Sequence, residues 1–346
     1  MTRRAQITGW GKYLPEKVLT NHDLAQIVDT NHEWIVEHTG IQERRVRGEN
    51  DTTTSMAAAA SRDALAVAGL EPQDLDLIIV ANSSPDYLLP SPANFIQHTL
   101  GATCPAFTIA AGCSGWVYGL ATGHQFIQTG VYKNVLVIGV EIISYALDYT
   151  DRTTCVLFGD AAAAVVLQPT TEDAGLMTFE LGSDGSRAHN LWVPGGGTVN
   201  PVSQKVVDNR EHYIRMNGQE VARFAMRKLL SCLTNITEQA GMTPHDLDLI
   251  IPHQANQRIM ESAAKHLGLP MDKFFVNVHK YANTSAASIP LALVEAIEEG
   301  RIKPGDTVGM VAFGSGLSWA GAVVRMGVRE PEFAHANGNG HVKVSI

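Results

Sequence analysis

The chain is short of several things, and each shortage narrows what it does. Its 346 residues include only four cysteines, Cys104, Cys113, Cys155 and Cys232. These are too few for a disulfide scaffold and lack the CxxC spacing of a zinc site. Charged residues make up 18% and lean acidic, with 26 Lys and Arg against 35 Asp and Glu and a formal net charge of −9. Gripping a phosphate backbone needs a net basic face, so nucleic acid is not an expected partner. Long apolar runs are missing too. The longest, Ala161 to Leu167, falls far short of the ~20 residues of a membrane span. The opening residues, Met1-Thr-Arg-Arg-Ala-Gln-Ile-Thr8, carry no apolar stretch of the signal-peptide kind. With 45% hydrophobic residues, the chain still has enough to bury a large core. The expectation is a cytoplasmic globular protein in a reducing compartment, with no membrane partner and no metal.

What the sequence has in plenty is internal repetition. Pro72-Gln-Asp-Leu-Asp-Leu-Ile-Ile79 returns as Pro244-His-Asp-Leu-Asp-Leu-Ile-Ile251, an offset of 172. Each copy follows a helical pattern closed by Ala-Gly (Ala68-Gly69 and Ala240-Gly241) and enters an apolar run that reads as a buried strand. Phe126-Ile-Gln-Thr-Gly130, leading to Val135–Gly139, is echoed by Ala296-Ile-Glu-Glu-Gly300, leading to Thr307–Phe313. Ala162-Ala-Ala-Val-Val166 is echoed by Ala320-Gly-Ala-Val-Val324. Three matches in one order indicate a duplicated α/β unit. Each copy is expected to hold a mainly parallel sheet covered by helices, with shared helices buried between the two sheets. The halves are read as residues 1–172 and 173–328. Residues 184–212 lack periodicity and read as a long surface loop, and residues 329–346 as a weakly ordered tail.

Four stretches carry side chains with chemistry. In Ala110-Ala-Gly-Cys113-Ser-Gly a cysteine sits among small residues where a helical pattern begins. The positive end of the helix dipole there lowers a thiol pKa, and free N–H groups in the first turn stabilise an oxyanion. A free cysteine is ordinarily just a small buried hydrophobe. That is the reading for the other three, and it stays open for Cys113. His253, in Pro252-His253-Gln-Ala-Asn256, follows the second copy of the repeated strand, at the carboxyl end where α/β sheets build sites. As one histidine among thirteen it says little alone. Asn283 opens another helical pattern, where ordinary N-capping competes. Gly130 and Gly300 correspond at an offset of 170, and the same offset makes Asn283 the counterpart of Cys113. A thiol, an imidazole and an amide are therefore expected to converge from both halves. Ala312-Phe313-Gly-Ser315-Gly316 is a glycine-rich turn that lets backbone N–H groups approach a reacting carbonyl.

With Glu33-Trp34-Ile35, Thr39-Gly40-Ile41, Phe158-Gly-Asp160 and Leu181-Gly-Ser-Asp-Gly185, these stretches resemble the β-ketoacyl-acyl carrier protein synthase III family over about residues 5–327. That family comprises the initiating condensing enzymes of the thiolase superfamily. The resemblance implies a duplicated thiolase-like α/β fold, five layers in αβαβα order with pseudo-two-fold symmetry, in a homodimer. It implies that Cys113 accepts the acyl group of an acyl-CoA, and that His253 and Asn283 serve the decarboxylation and condensation of malonyl-acyl carrier protein. Backbone N–H groups of Cys113 and Ser315 would hold the oxyanion; the family has glycine at the latter position.

Other positions carry over in the same way. Trp34 and Arg152 match the pair that sandwiches the CoA adenine, while His38 stands where the family has a second arginine. Met216, Gly218 and Asn256 match the pantetheine tunnel. Leu89 matches the residue that closes the acyl pocket across the dimer, a pocket to which Phe313 is also assigned. Arg223, Arg258 and Lys265, with Arg227, are expected to form a basic patch that steers an acidic carrier protein, although a merely solvated face competes. No cofactor is implied, since CoA is a product. A degradative thiolase needs a second cysteine in the C-terminal turn, and none follows Cys232. A hydroxymethylglutaryl-CoA synthase needs a glutamate where Asn82 stands. The alternative left is a polyketide- or quinolone-type relative using the same three residues with another primer or acceptor.

Overall fold

The computed structural model describes residues 3–327; the segment expected to form a tail, 329–346, lies outside the described residues. The first half runs β1 (Arg4–Tyr13), α1 (His32–Thr39), α2 (Thr53–Ala68), β2 (Leu77–Ala81), α3 (Pro92–Leu100), β3 (Ala106–Ile109), α4 (Gly115–Gln128), β4 (Val135–Ile142) and β5 (Asp160–Thr170). The second runs β6 (Gly175–Ser183), α5 (Gly218–Gln239), β7 (Leu249–Pro252), α6 (Gln257–Leu267), α7 (Ser288–Glu298), β8 (Thr307–Gly314) and β9 (Ser318–Arg325).

The repeated motif has a local explanation. Asp74 and Asp246 accept from the backbone N–H groups of Glu71 (2.9 Å) and Thr243 (2.7 Å), closing matching 3₁₀ turns that begin at Pro72 and Pro244. Two residues on, Asp76 accepts from the N–H groups of Lys133 and Asn134, and Asp248 from that of Thr307, so each aspartate holds the entry to the neighbouring strand. The strand that follows is buried on both faces. Leu77, Ile79 and Ala81 point into the central core, while Ile78 and Val80 point toward the outer helices. That is why it reads as an unbroken apolar run.

The two sheets have corresponding orders, β1-β5-β4-β2-β3 and β6-β9-β8-β7. Where β3 would recur, a single parallel bridge joins Ile250 to Phe274. Helices α2 and α3 cover the outside of the first sheet and α5 and α6 the outside of the second, while α4 and α7 lie between the sheets and touch both. This is the expected αβαβα sandwich. Its central layer is thin because α4 presents a glycine stripe. A Cβ on Gly119 would stand 3.0 Å from Val137 Cγ1, tighter than ordinary contact, so glycine lets the helix lie this close without the sheet giving way.

Two expectations need correction. The sheets are mixed rather than mainly parallel. Strand β2 is parallel to β3 and β4, and β7 to β8, but β5 is antiparallel to both β4 and β1, and β9 to both β8 and β6. Parallel neighbours need a crossover of a dozen or more residues, and only the turn Ser315–Leu317 separates β8 from β9. Residues 184–212 are also not a bare loop. They hold a 3₁₀ turn at Gly185–Asn190, the strand Leu191–Trp192 paired with Arg215–Met216, and the helix Gln204–Asp208. Such pieces are too short to show a period in the sequence. Arg210 fastens the segment to the body through Asp148 at 2.6 Å.

Candidate active site

The two halves meet at a pair of 3₁₀ turns. Gly112–Ser114, leading into α4, packs on the end of β8, and Ser285–Ala287, leading into α7, packs on β4; the turns also touch each other. Glycines make the seats. A Cβ on Gly314 would lie 2.7 Å from the Cys113 nitrogen, and one on Gly139 2.5 Å from the Ala286 oxygen. Registered at these turns, Cys113 corresponds to Ala286, which corrects the pairing with Asn283. Helix α4 has 14 residues and α7 has 11. Counting back from the glycines at their far ends therefore misplaces the match by about one turn.

Cys113 is buried, with 7% of its surface exposed. Burial pushes its thiol up to about 11, while the Ser285 hydroxyl and the backbone N–H groups of Cys113 and Ser315 pull the other way. The expected lowering is thus reversed in the free chain, because desolvation of the thiolate outweighs the dipole. Both N–H groups assigned to the oxyanion do converge on the sulfur.

His253 continues β7, donating its backbone N–H to Val311 at 2.8 Å. Its ring stands edge-on to Phe313, 5.3 Å between centroids. Nδ1 is 2.5 Å from the Ser288 hydroxyl, the first residue of α7, which also accepts from the Gln254 N–H at 3.4 Å. Assigning the Ser288 hydroxyl as the donor to Nδ1 leaves the ring's own proton on Nε2. Burial holds the imidazole down to about 3, so it is a neutral donor.

Asn283 is fixed on both sides: its N–H donates to Leu157 at 2.9 Å and its carbonyl accepts from Gly159 at 3.0 Å. Oδ1 accepts from the Ser285 N–H at 2.8 Å, leaving Nδ2 as the available donor. Ala282 and Ser285, at φ 57° and 51°, are left-handed non-glycine residues of the kind that collect at functional sites.

Ser285 was not anticipated from the sequence, nor was the residue beyond it. Its hydroxyl donates to Glu141 at 3.1 Å, a fully buried carboxyl on β4. The signal available was one acid inside the apolar run Val135–Ile142.

The positions matched to CoA binding gather at the surface. The Arg152 guanidinium carbon lies 5.3 Å from the Trp34 ring centroid, and His38 stacks on Trp34 at 4.5 Å. Asn256 caps α6 and donates to the His38 carbonyl at 3.0 Å, while Arg258 Nε donates to the Glu37 carbonyl at 2.8 Å. These bonds tie α1 to α6. Met216 and Gly218 lie side by side, a Cβ on the glycine falling 3.8 Å from Met216 Cε.

Other expected groupings are looser. Leu89 is 86% exposed and Leu88 83%, whereas Phe313 is buried, so one chain alone does not seat Leu89 in a pocket. Arg223 pairs with Glu220 and Arg258 with Glu261, which halves the expected basic patch; Arg187 joins Arg223 and Arg227 along the same shallow cleft, and Lys265 is exposed. Among the described residues no helix is long and apolar enough to cross a membrane.

A profile described as 3-oxoacyl-[acyl-carrier-protein (ACP)] synthase III matches residues 107–185, and one for its C-terminal part matches residues 237–326. A β-ketoacyl-[acyl-carrier-protein] synthase III from Caldanaerobacter subterraneus is 49% identical over 322 residues, which is 93% of this chain and 97% of that protein. Another, from Symbiobacterium thermophilum, is 47% identical over 94% of this chain and 99% of its own length. The crystal structure of a 3-oxoacyl-[acyl-carrier-protein] synthase III from Aquifex aeolicus matches with a TM-score of 0.87 at 45% identity, covering 93% and 99% of the two chains.

Proposed function

The chain belongs to the β-ketoacyl-[acyl-carrier-protein] synthase III family, and from that premise we propose how its own residues perform the reaction. It is an acyltransferase that initiates fatty acid synthesis, condensing an acyl-CoA with malonyl-acyl carrier protein to give a 3-oxoacyl product, CO2 and CoA. The Cys113 sulfur attacks the acyl-CoA thioester. The resulting oxyanion lies against the N–H groups of Cys113 and Ser315, and collapse leaves the acyl group on sulfur. Malonyl-acyl carrier protein then sets its thioester oxygen between His253 Nε2–H and Asn283 Nδ2–H. Two neutral donors stabilise the enolate as CO2 leaves, with no proton given up at that step. The enolate carbon attacks acyl-Cys113, and collapse releases the product.

One observation carries this assignment: the turn Gly112–Ser114, which holds Cys113, and the turn Ser285–Ala287, just past Asn283, pack against each other, so residues from opposite halves meet at one point. Mixing the protein with an acyl-CoA is expected to add the acyl mass to Cys113. His253→Ala and Asn283→Ala should still acylate but leave malonyl-acyl carrier protein unconsumed, with turnover lower by about 10²- to 10³-fold. An acyl mass on another residue would defeat the assignment.

The finer reading is a cytoplasmic homodimer. CoA lies along Trp34, Arg152, Met216, Gly218 and Asn256, and the carrier protein docks near Arg223, Arg258 and Lys265. Leu89 of one protomer closes the partner's acyl pocket beside Phe313. An aliphatic side chain there admits primers longer than acetyl. A panel of acetyl-, isobutyryl- and longer acyl-CoA donors checks this, and strict acetyl selectivity would rule it out.

A further inference from the structure

We propose that Glu141, acting through Ser285, takes up the Cys113 thiol proton during acyl transfer and returns it when the product leaves. The inference rests on the function proposed above and adds a proton acceptor that the reaction otherwise lacks.

The geometry is a short chain of hydrogen bonds leading away from the sulfur. Ser285 contacts the Cys113 sulfur and donates to Glu141 Oε1 at 3.1 Å. The far oxygen, Oε2, is held by the Ser84 hydroxyl at 2.5 Å and the Ser83 N–H at 3.1 Å. Ser84 is itself fixed, accepting from the Ile142 N–H at 2.9 Å. The groups facing Glu141 are thus Ser83 and Ser84 after β2, Ser285 and the Ala286 N–H from the turn before α7, and Ala161 across on β5. Cys113 and Tyr145 are the titratable groups that feel its charge. None of these is a cation. A carboxylate buried for structure alone is usually paired with one; this one has only neutral donors, so its protonated form is accessible.

The three buried groups differ in proton affinity in a way that selects the acceptor. The thiol, at about 11, ionises little at neutral pH. The imidazole, at about 3, is too weak a base to take its proton. Burial raises the Glu141 carboxyl to about 7, against the bonds from Ser84, Ser83 and Ser285, which is where an acceptor working near neutrality belongs.

The step balances. As sulfur bonds to the acyl carbon, the S–H bond breaks. Ser285 Oγ gains that proton while its own hydroxyl proton passes to Glu141 Oε1. The carbon–sulfur bond of acyl-CoA breaks, and CoA leaves as thiolate and is protonated by water. In the condensation the Cys113–acyl bond breaks, and sulfur recovers its proton from Ser285, which is replenished by Glu141. One solvent proton is consumed per turnover, matching the carboxylate lost as CO2. Glu141 reaches the sulfur only through Ser285, so it is a positioning residue in this scheme.

Glu141→Gln keeps the shape and removes the acceptor. Rapid-quench mass spectrometry of acyl-Cys113 formation should show a loss of about 100-fold near pH 7. The inflection near neutrality should vanish, with the rate instead climbing into the alkaline range where the thiol ionises unaided. Alkylation of Cys113 by iodoacetamide should not slow, because removing the carboxylate charge favours the thiolate. Slow acylation with undiminished alkylation is a contrast that a merely distorted site does not produce. Should Glu141→Gln fail to fold, Ser285→Ala breaks the chain one link earlier and is read by its pH profile, from which the inflection near neutrality should vanish; its alkylation also slows, because it loses the hydroxyl that steadies the thiolate. Wild-type rate and pH profile in either folded variant overturn the relay, as does a parallel loss of acylation and alkylation in Glu141→Gln. If the unmodified enzyme forms no acyl-Cys113 at all, the function proposed above fails instead, and the relay with it.

Discussion

At the scale of single residues, burial decides protonation, and the consequences reach stability as well as chemistry. His253 is held down to about 3 by burial, and His124 to about 4 by burial and then by the nearby Arg4. Both would titrate near 6.5 when unfolded. Between those values the unfolded chain binds more protons than the folded one, so stability falls as pH drops from about 6.5 toward 4. Calorimetry from pH 7 to 4 should show a falling Tm, with a shallower slope in His124→Gln; an identical slope would remove His124 from the account. Ser288→Ala frees Nδ1 of His253 and blurs the tautomer. It should lower condensation roughly tenfold, about one 1.4 kcal/mol step, while acyl-Cys113 formation is unchanged. At this scale Cys113, His253 and Asn283 were legible because each sits at the mouth of a recognisable element. Ser285 and Glu141 were not. Their meaning lies in a contact between a strand and a turn 144 positions apart, whereas Asn82, the position at which a glutamate would mark a related synthase, lies just past the end of the neighbouring strand.

At the scale of elements, two turns and two strand ends hold the site together. A methyl group at Gly139 would fall 2.5 Å from the backbone oxygen of Ala286, and one at Gly314 would fall 2.7 Å from the backbone nitrogen of Cys113. Neither obstacle is the tip of a flexible side chain. Gly139→Ala and Gly314→Ala should each cost about 1–3 kcal/mol of stability. Gly314→Ala should also abolish acylation, and Gly139→Ala, displacing the turn that carries Ser285, should slow acylation as well as condensation. Thermal melts with separate assays of the two half-reactions decide this. The repeated strands were readable from their apolar runs and their aspartates. Antiparallel β5 and β9 were not, since burial on both faces erases the alternation that would mark them. The helix register slipped because the two central helices end differently while starting alike.

At the scale of the whole molecule, exposed Leu88 and Leu89 are a liability unless something covers them. In the proposed homodimer the partner covers them: Leu88→Asp with Leu89→Asp should then shift sedimentation from dimer to monomer and depress turnover, and an unchanged sedimentation would refute the role given to this loop. The proposed carrier surface calls for a cleaner probe than Arg258, which also binds α1 to α6. Arg223→Glu should raise KM for the carrier substrate with kcat nearly constant, and the effect should shrink in salt.

The paired turns have a longer reach. A frame built from two like halves offers two like seats, yet only one holds sulfur; the other is occupied by the methyl of Ala286, three positions past the carboxamide. Joining the halves in one chain released each seat from having to match its twin. In the proposed reaction one seat carries the acyl group, while the other, beside Asn283, is given over to the incoming partner.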